Sequence, residues 1–228
     1  MHLSLFVAGF VAIALAVAFL GFLLPARRSR SVEKLARELN FKFAALAMPF
    51  EDTDVRGIEI LENGPSTVVS NLLERTTGNC RFLICDIDTL PTEGAATTLT
   101  TTVAAFRMSE MNLPVFQIGE KNTVERVAEQ IRHVFSKKLD EFDGDREFTR
   151  NFFVHCPAKD EARNFLTSAK LTYLREHAAH LRVECSPDWL FIYYGVGVRV
   201  ETDNLKEFSE IASAMASVLL SIQTPKAA

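Results

Sequence analysis

The stretch CRFLICDIDTL, Cys80–Leu90, decides the fold expected for this chain, together with the stretch TTLTTTVAAFRM, Thr97–Met108, that follows it. Both are rich in Val, Ile, Thr and Phe, the residue types that favour strands. The connection between them holds Pro91 and Gly94 and is too short for a crossover helix. The two strands are therefore expected to pair antiparallel.

Two further strands are predicted beside this pair, Val68–Glu74 and Pro114–Gly119, again with short connections that favour an antiparallel meander. A helix is expected to follow, because Asn122 and Glu125 have the spacing of a capping box. The apolar stripe of this helix consists of Val124, Val127, Ala128, Ile131 and Phe135.

The second half predicts the order β-α-β-β-α, close to a ferredoxin-like unit without its last strand. Strands are expected at Phe148–Cys156, at 181–185 and at Trp189–Val200, with Arg182 and Glu184 on the solvent side of the second. One long helix is expected after Pro157, and a last helix is capped by Asn204. The predicted inner faces of these two helices are Ala162, Phe165, Leu166, Ala169 and Tyr173, and Leu205, Phe208, Ala212, Met215, Leu219 and Ile222.

The N-terminal stretch LFVAGFVAIALAVAFLGFLL, Leu5–Leu24, is an uncharged apolar run of the ~20 residues that a helix needs to cross a bilayer. A cleaved signal peptide is the alternative, but such peptides have a basic segment before a core of ~7–15 apolar residues. Here no Lys or Arg precedes the run. The sequence thus favours a transmembrane helix.

The basic residues Arg27, Arg28 and Arg30 follow the apolar run and act as the predicted topology signal. Short flanking segments rich in Lys and Arg stay in the cytoplasm, so the rest of the chain is expected on the cytoplasmic side of the inner membrane. Behind them, Val32, Leu35, Ala36 and Leu39 form one apolar stripe of a short amphipathic helix. The sequence leaves open whether that helix lies on the membrane or on the domain.

The expected fold class is α+β: an N-terminal transmembrane helix, an antiparallel β-rich block plus helix, and the β-α-β-β-α unit. The predicted boundaries are an anchor at 1–25, a juxtamembrane amphipathic helix at 26–40, a β-rich subdomain at 41–136, a charged connection at 137–147 and the second subdomain at 148–223.

The chain resembles a family of bacterial single-pass membrane-anchored proteins, a domain of unknown function. The resemblance is carried by a membrane helix followed by the segments CRFLICDIDTL, LPVFQI, FDGDREFTRNFFV, NFLT and LRVECSPDWLFIYY, and it spans residues 79–220. Ile87 departs from the family pattern, in which an aromatic residue often stands there. The resemblance implies an inner-membrane location in a bacterium and carries no activity, cofactor or site residue.

Asp86 and Asp88 suggest an alternative function, because two carboxylates on one strand face could bind a divalent cation in a metal-assisted hydrolase. The Asp-x-Asp-x-Thr pattern of phosphate-transferring hydrolases would need Thr at position 90, where this chain has Leu90. Two exposed carboxylates at a strand end are usually only solvated, so no catalytic residue is assigned.

No metal ligand or cofactor-binding residue is predicted, and no cofactor. His177 and His180 could form part of a zinc site, but a contact of the imidazole with a helix C-terminus fits them better. Gly195 and Gly197 lack the Lys-Ser or Lys-Thr pair of a phosphate-binding loop. The four cysteines lack CxxC spacing, and Cys80 and Cys85 are expected on opposite faces of a strand.

The sequence therefore predicts a protein that acts by binding, as a scaffold or sensory module at the inner membrane, rather than an enzyme. Its formal net charge of −4 does not favour nucleic acid as a partner. A lipid-recognising module is a further alternative, because the basic cluster can meet lipid headgroups. A second copy or another protein are the expected partners: Ala8, Ala12 and Ala16 recur every four residues in the anchor, a spacing that permits close helix approach.

Overall fold

The computed structural model describes residues 27–45, 48–49, 58, 67–89, 98–108, 112–121 and 146–220. Within these ranges, no helix has both the length and the apolar character needed to cross a bilayer. The predicted anchor, Leu5–Leu24, lies outside the described residues. So do the helix predicted from Asn122 and the charged connection up to residue 145.

The fold is α+β, built on an antiparallel open sheet in which eight strands of the described chain run in the order β1-β3-β4-β5-β9-β8-β6-β7. A short ninth strand, β2, pairs with β3 beside β1. The strands are β1 Lys42–Ala44, β2 Met48–Pro49, β3 Thr67–Thr77, β4 Cys80–Thr89, β5 Leu99–Met108, β6 Phe116–Glu120, β7 Phe152–His155, β8 Arg182–Cys185 and β9 Leu190–Tyr193.

The predicted antiparallel pairing is confirmed for β3, β4 and β5, which follow one another across the sheet as a meander. The prediction that the strand after Pro114 continues this meander is wrong. β9 pairs with β5 instead, and β6 lies between β8 and β7. The physical reason is burial: all four residues of β9 are buried, so this strand occupies an interior position that joins the two halves of the chain.

The sheet is buried on both faces, which explains why β4 reads as a nearly continuous apolar run. Phe82 and Ile84 point to the face that the helices cover, and Leu83, Cys85 and Ile87 point to the other. Because side chains alternate along a strand, each face receives its own apolar cluster. The second cluster is built around Trp189, Phe191 and Tyr193 of the β9 region.

The first described helix, α1, includes residues 27–38 and lies on the sheet. The predicted apolar stripe is confirmed, because Val32, Leu35 and Ala36 are buried in the cluster on the helical face. Asn40 has φ 57°, and the Phe41 amide donates to the Ala36 carbonyl over 2.7 Å. This left-handed residue ends the helix and turns the chain into β1.

The segment after residue 145 differs from its prediction as a strand. Arg146–Asn151 forms a short helix, α2, and only Phe152–His155 forms β7. Phe148 and Phe152 are four residues apart, and their rings stack with centroids 4.8 Å apart. That spacing suits one side of a helical turn, whereas in a continuous strand the two rings would stand further apart.

The single long helix predicted after Pro157 is in fact two helices, α3 Lys159–Phe165 and α4 Ser168–His177. Thr167 separates them, with an extended backbone and a side chain that accepts a hydrogen bond from the Lys170 amide. Such a residue begins a new helix. The break changes which residues face inward: Ala169 is exposed, contrary to the prediction, while Lys170, Leu171 and Leu174 are buried.

The last helix, α5 Leu205–Leu220, follows a single 3₁₀ turn at Thr202–Asn204. Its predicted inner face is confirmed for the five residues that the structure describes, Leu205, Phe208, Ala212, Met215 and Leu219. The sixth, Ile222, lies outside the described residues. An apolar face at helical spacing is thus the feature that places α5 on the sheet.

Candidate functional site

A buried ion pair joins α1 to the centre of the sheet. Arg28 Nε donates to Asp86 Oδ2 over 2.7 Å, and Arg28 Nη2 donates to Asp86 Oδ1 over 2.8 Å. The side chains of Arg28 and Asp86 are only 7% and 3% exposed. This two-point geometry fixes the guanidinium plane as well as its position.

Two neighbouring strands complete the hydrogen bonding of Asp86. Asn71 Nδ2 donates to Oδ2 over 2.9 Å, and Thr102 Oγ1 donates to Oδ1 over 2.7 Å. A carboxylate offers about four lone-pair sites, so these four bonds saturate it. Asp86 is therefore a fully satisfied buried anion.

Asn71 reaches Asp86 because β3 is irregular at this point. The register between β3 and β4 shifts between Ser70 and Leu73, and Asn71 itself has φ 50°. Asn tolerates this left-handed backbone better than most residues. The bulge thus places an amide side chain where a regular strand would not.

Thr102 extends the network to the segment that follows β9. Its hydroxyl accepts from the Val200 amide over 3.0 Å, and its own amide donates to the Val198 carbonyl over 3.1 Å. Thr101 likewise accepts from the Gly197 amide over 2.8 Å. Gly197 has φ 75°, a left-handed backbone conformation that glycine adopts without the steric cost of a Cβ.

The other end of α1 is held as well. Arg75 Nη1 donates to the Leu39 carbonyl over 3.5 Å, and its guanidinium lies 4.6 Å from the centroid of the Phe41 ring. Phe41 packs edge-on against Phe82, with ring centroids 5.2 Å apart. The helix is thus fixed at its first turn, along its face and at its last turn. The question that the sequence left open is answered: residues 31–39 lie on the domain.

The predicted topology residues do not share one environment. Arg27 and Arg30 are exposed, whereas Arg28 is buried in the ion pair. Arg28 therefore has a structural role that sequence reasoning missed. The three arginines together indicated a topology signal, and the signal for burial of one of them was Asp86 at the end of an apolar run.

The arrangement of Asp86 and Asp88 gives no support to a metal-assisted hydrolase. All four acceptor positions of Asp86 are occupied, and Asp88 Oδ1 accepts from Thr100 Oγ1 over 2.5 Å. In the described part of the chain, no group of three or more His, Cys, Asp or Glu side chains is arranged to hold a metal ion.

His177 and His180, which the sequence offered as part of a zinc site or as contacts of a helix C-terminus, have different partners in the structure. His177 Nδ1 lies 3.0 Å from the Tyr173 carbonyl in the last turn of α4, while His180 Nδ1 lies 3.1 Å from Glu120 Oε2. Cys80 packs beside one apolar cluster and Cys85 lies in the other, as expected for opposite strand faces. Burial raises the pKa of the Cys85 thiol to about 12, which makes it unreactive.

A buried polar network on β8 and β9 was not predicted. Arg182 and Glu184 were expected on the solvent side of β8, but both are 3% exposed. Gln117 Nε2 donates to Glu184 Oε1 over 2.7 Å, and the Tyr193 hydroxyl donates to the same oxygen. Burial and the neighbouring Glu184 charge raise the pKa of Tyr193 well above its ordinary value. Alternation alone missed this network because β8 lies inside the sheet, with both faces covered.

A cleft of about 390 Å³ opens beside the break between α3 and α4. Its walls carry apolar and polar groups from two parts of the chain: Asn112, Pro114, Glu161, Asn164, Phe165, Thr167 and Lys170. Lys170 is 2% exposed, and its ammonium lies 3.6 Å from the centroid of the Phe165 ring. Burial lowers the pKa of Lys170 to about 8. Sequence reasoning missed this residue, and Thr167 as a helix cap was the available signal.

No protein-family model matches the sequence, and no curated protein does. The fold is similar to the crystal structure of the mycobacterial trehalose monomycolate transport factor A, TtfA, with a TM-score of 0.57 at 13% sequence identity. The match covers 88% of this chain and 98% of that chain. At this identity the similarity shows a common fold, and the chain therefore has a TtfA-like α+β fold.

Proposed function

We propose that this chain is a single-pass inner-membrane protein whose cytoplasmic α+β domain acts as a binding or scaffold module. The observation that carries the proposal is the fixed position of α1, the first described helix after the predicted anchor. A helix held by a buried ion pair cannot swing freely as a linker would. The domain would then keep one face in a constant orientation relative to the membrane.

The most polar buried groups, Asp86 and Glu184, are occupied by hydrogen bonds within the domain. Their role is to hold elements in place. A binding module needs such rigidity, because ordering a mobile surface on association costs affinity.

The partner class that we propose to test first is a membrane protein of a transport system. The similar structure is that of a transport factor. A domain held close to the bilayer is well placed to contact the cytoplasmic loops of an integral membrane protein. The proposed scaffold would therefore bind its partner at the cytoplasmic surface of the membrane.

Topology is tested first, with alkaline phosphatase fused after Ala228. We expect an inactive fusion, because the positive charges follow the anchor. Replacing Arg27 and Arg30 with Glu tests the signal at exposed positions and leaves the Arg28 ion pair intact. Mixed orientation is expected for that variant, and an active fusion of the parent chain would contradict the cytoplasmic assignment.

Partner binding is tested by crosslinking in cells, followed by purification in mild detergent. The full chain is compared with a chain that carries the anchor and residues 27–45 alone. We expect membrane proteins of a transport system to be enriched with the full chain and not with the short one. Equal recovery with both chains would place binding in the anchor or in residues 27–45, and recovery of neither would contradict the scaffold role.

A further inference from the structure

Lys170 is a buried cation whose ammonium has a ring as its neighbour. Its side chain is 2% exposed, and the Phe165 ring lies 3.6 Å from the ammonium. Within the described ranges, no carboxylate forms an ion pair with it. An aromatic face offsets part of the cost of burying an ammonium, but it supplies no hydrogen-bond acceptor of ordinary strength.

The chain places this ammonium at the wall of the cleft rather than in the apolar core. Lys170 and Phe165 both line the cleft, and the amides of Asn112 and Asn164 line it with them. A volume of about 390 Å³ falls in the range of small-molecule sites. The cleft therefore combines one buried cation, neutral hydrogen-bonding groups and an aromatic wall.

We propose that the cleft binds a small ligand through one oxyanion group, a carboxylate or a phosphate, that pairs with the Lys170 ammonium. The oxyanion would supply the acceptors that the ammonium lacks among the described residues. Amide groups of Asn112 and Asn164 would donate to the remaining oxygens. The Phe165 ring would contact the apolar part of the ligand.

The local backbone explains how the lysine reaches this position. α3 ends at Phe165 and Thr167 caps the start of α4, so the following turn restarts with Lys170 facing inward. In one uninterrupted helix with Ala162 and Phe165 inside, Ala169 would have faced inward instead. The break that sequence reasoning missed is thus the feature that builds the site.

The charged residues of the cleft limit how many negative charges a ligand can carry. Glu161 also lines it and is exposed, so one carboxylate stands near the rim while one ammonium lies at the wall. A ligand with several negative charges would meet repulsion from Glu161. A ligand with one oxyanion group avoids most of it.

The test measures thermal unfolding of the full chain in a neutral detergent, with sodium phosphate or sodium acetate added at constant ionic strength. Three proteins are compared: the parent, Lys170→Met and the matched control Lys206→Met, which removes an exposed lysine of α5. Lys170→Met keeps the length of the side chain and removes a costly buried charge, so it is expected to fold.

We expect one of the two anions to raise the unfolding temperature of the parent and of Lys206→Met. Its apparent affinity should fall at least about tenfold in Lys170→Met. Stronger stabilisation by phosphate assigns the site to a phosphate group, and stronger stabilisation by acetate assigns it to a carboxylate. Equal responses of all three proteins, or no response of the parent to either anion, would overturn the proposal.

A second variant separates binding from folding. Asn164→Asp adds a carboxylate to the cleft at an exposed position, so it leaves the core unchanged. We expect anion binding to weaken several-fold, whereas the unfolding temperature without anion should not fall, because the added carboxylate can pair with the Lys170 ammonium. Anion binding that is unchanged in Asn164→Asp would place the anion elsewhere.

Discussion

Asp86 has a different role in the structure from the one that its sequence pattern suggests. In the sequence it belongs to an Asp-x-Asp pair, a pattern that suggests a metal or catalytic site. In the structure its two oxygens accept four hydrogen bonds from Arg28, Asn71 and Thr102. A carboxylate so fully bonded holds its neighbours in place and has no position left for a ligand.

The first prediction concerns this ion pair. Asp86→Asn should lower the free energy of unfolding by about 3–5 kcal/mol, because Arg28 is left as a buried charge without its counter-ion. Urea unfolding in detergent measures the change. The control Glu33→Gln breaks the exposed pair with Arg37 and should cost no more than about 0.5 kcal/mol.

A double variant distinguishes the ion pair from simple loss of packing. Arg28→Met with Asp86→Leu removes both charges and keeps apolar volume, so it should lie much closer to the parent than Asp86→Asn alone. If the double variant is as unstable as the single one, the destabilisation does not come from an unpaired charge.

The second prediction concerns pH and Lys170. Burial lowers its pKa to about 8 in the folded chain, against an ordinary value of 10.5. Between these two values the unfolded chain binds more protons, so the contribution of Lys170 to stability should rise as pH increases from about 8. The difference in unfolding free energy between the parent and Lys170→Met, followed across this range, measures it. A difference that is independent of pH would contradict the burial of the ammonium.

At the scale of elements, the sequence predicted what depends on local pattern and missed what depends on distant neighbours. The strands β3, β4 and β5 and the inner face of α5 follow from residue type and periodicity. The insertion of β9 beside β5 does not, because pairing partners are chosen by burial across the whole sheet. The helix break at Thr167 was visible as a capping residue, but the apolar pattern on both sides concealed it.

The site residues, too, could be predicted where their role depends on local pattern and were missed where it depends on distant neighbours. Arg28 was found as a charge and Asp86 as a candidate ligand, yet nothing in the sequence joins two residues that lie 58 positions apart. If the segment after Pro157 is taken as one helix, nothing in the sequence predicts that Lys170 is buried. Its inward direction depends on where α4 begins. Burial of Arg182 and Glu184 required knowledge that β8 lies inside the sheet.

The third prediction concerns α1 as an element of the domain. A chain that begins at Arg27 keeps the ion pair and should fold as a soluble domain with cooperative unfolding. A chain that begins at Ser31 lacks Arg28 and leaves Asp86 buried without its cation, so it should be less stable by about 3–5 kcal/mol. Urea titrations of both chains test this, and equal stabilities would show that α1 is not anchored through Arg28.

At the scale of the whole molecule, the division into two subdomains stays a prediction, while the sheet itself is continuous across it. Hydrogen bonds between β5 and β9 join strands from before and after the predicted charged connection. The helix α1, which follows the predicted anchor, is fixed to the same sheet by the Arg28–Asp86 ion pair.

The fourth prediction concerns association of complete chains in the membrane. If Ala8, Ala12 and Ala16 pack two anchors together, then Ala12→Leu and Ala16→Leu should weaken self-association without preventing insertion. Crosslinking in membranes, with the anchor alone as well as the full chain, measures this. Association of the full chain that survives both substitutions would assign the contact to the domain.

The two ends of the sheet have a consequence for solubility. Among the described strands, the outermost are β1, with three residues, and β7, with four, whereas β3, β4 and β5 have ten or eleven. An open sheet offers unpaired backbone groups at its edges, where a further strand from another molecule can add and start aggregation. Short edge strands give such a strand little to pair with, and exposed Lys42 places a charge on β1. The long, strongly β-forming strands that define this fold thus lie inside the two edge strands, and β1 and β2 together pair with five residues of β3.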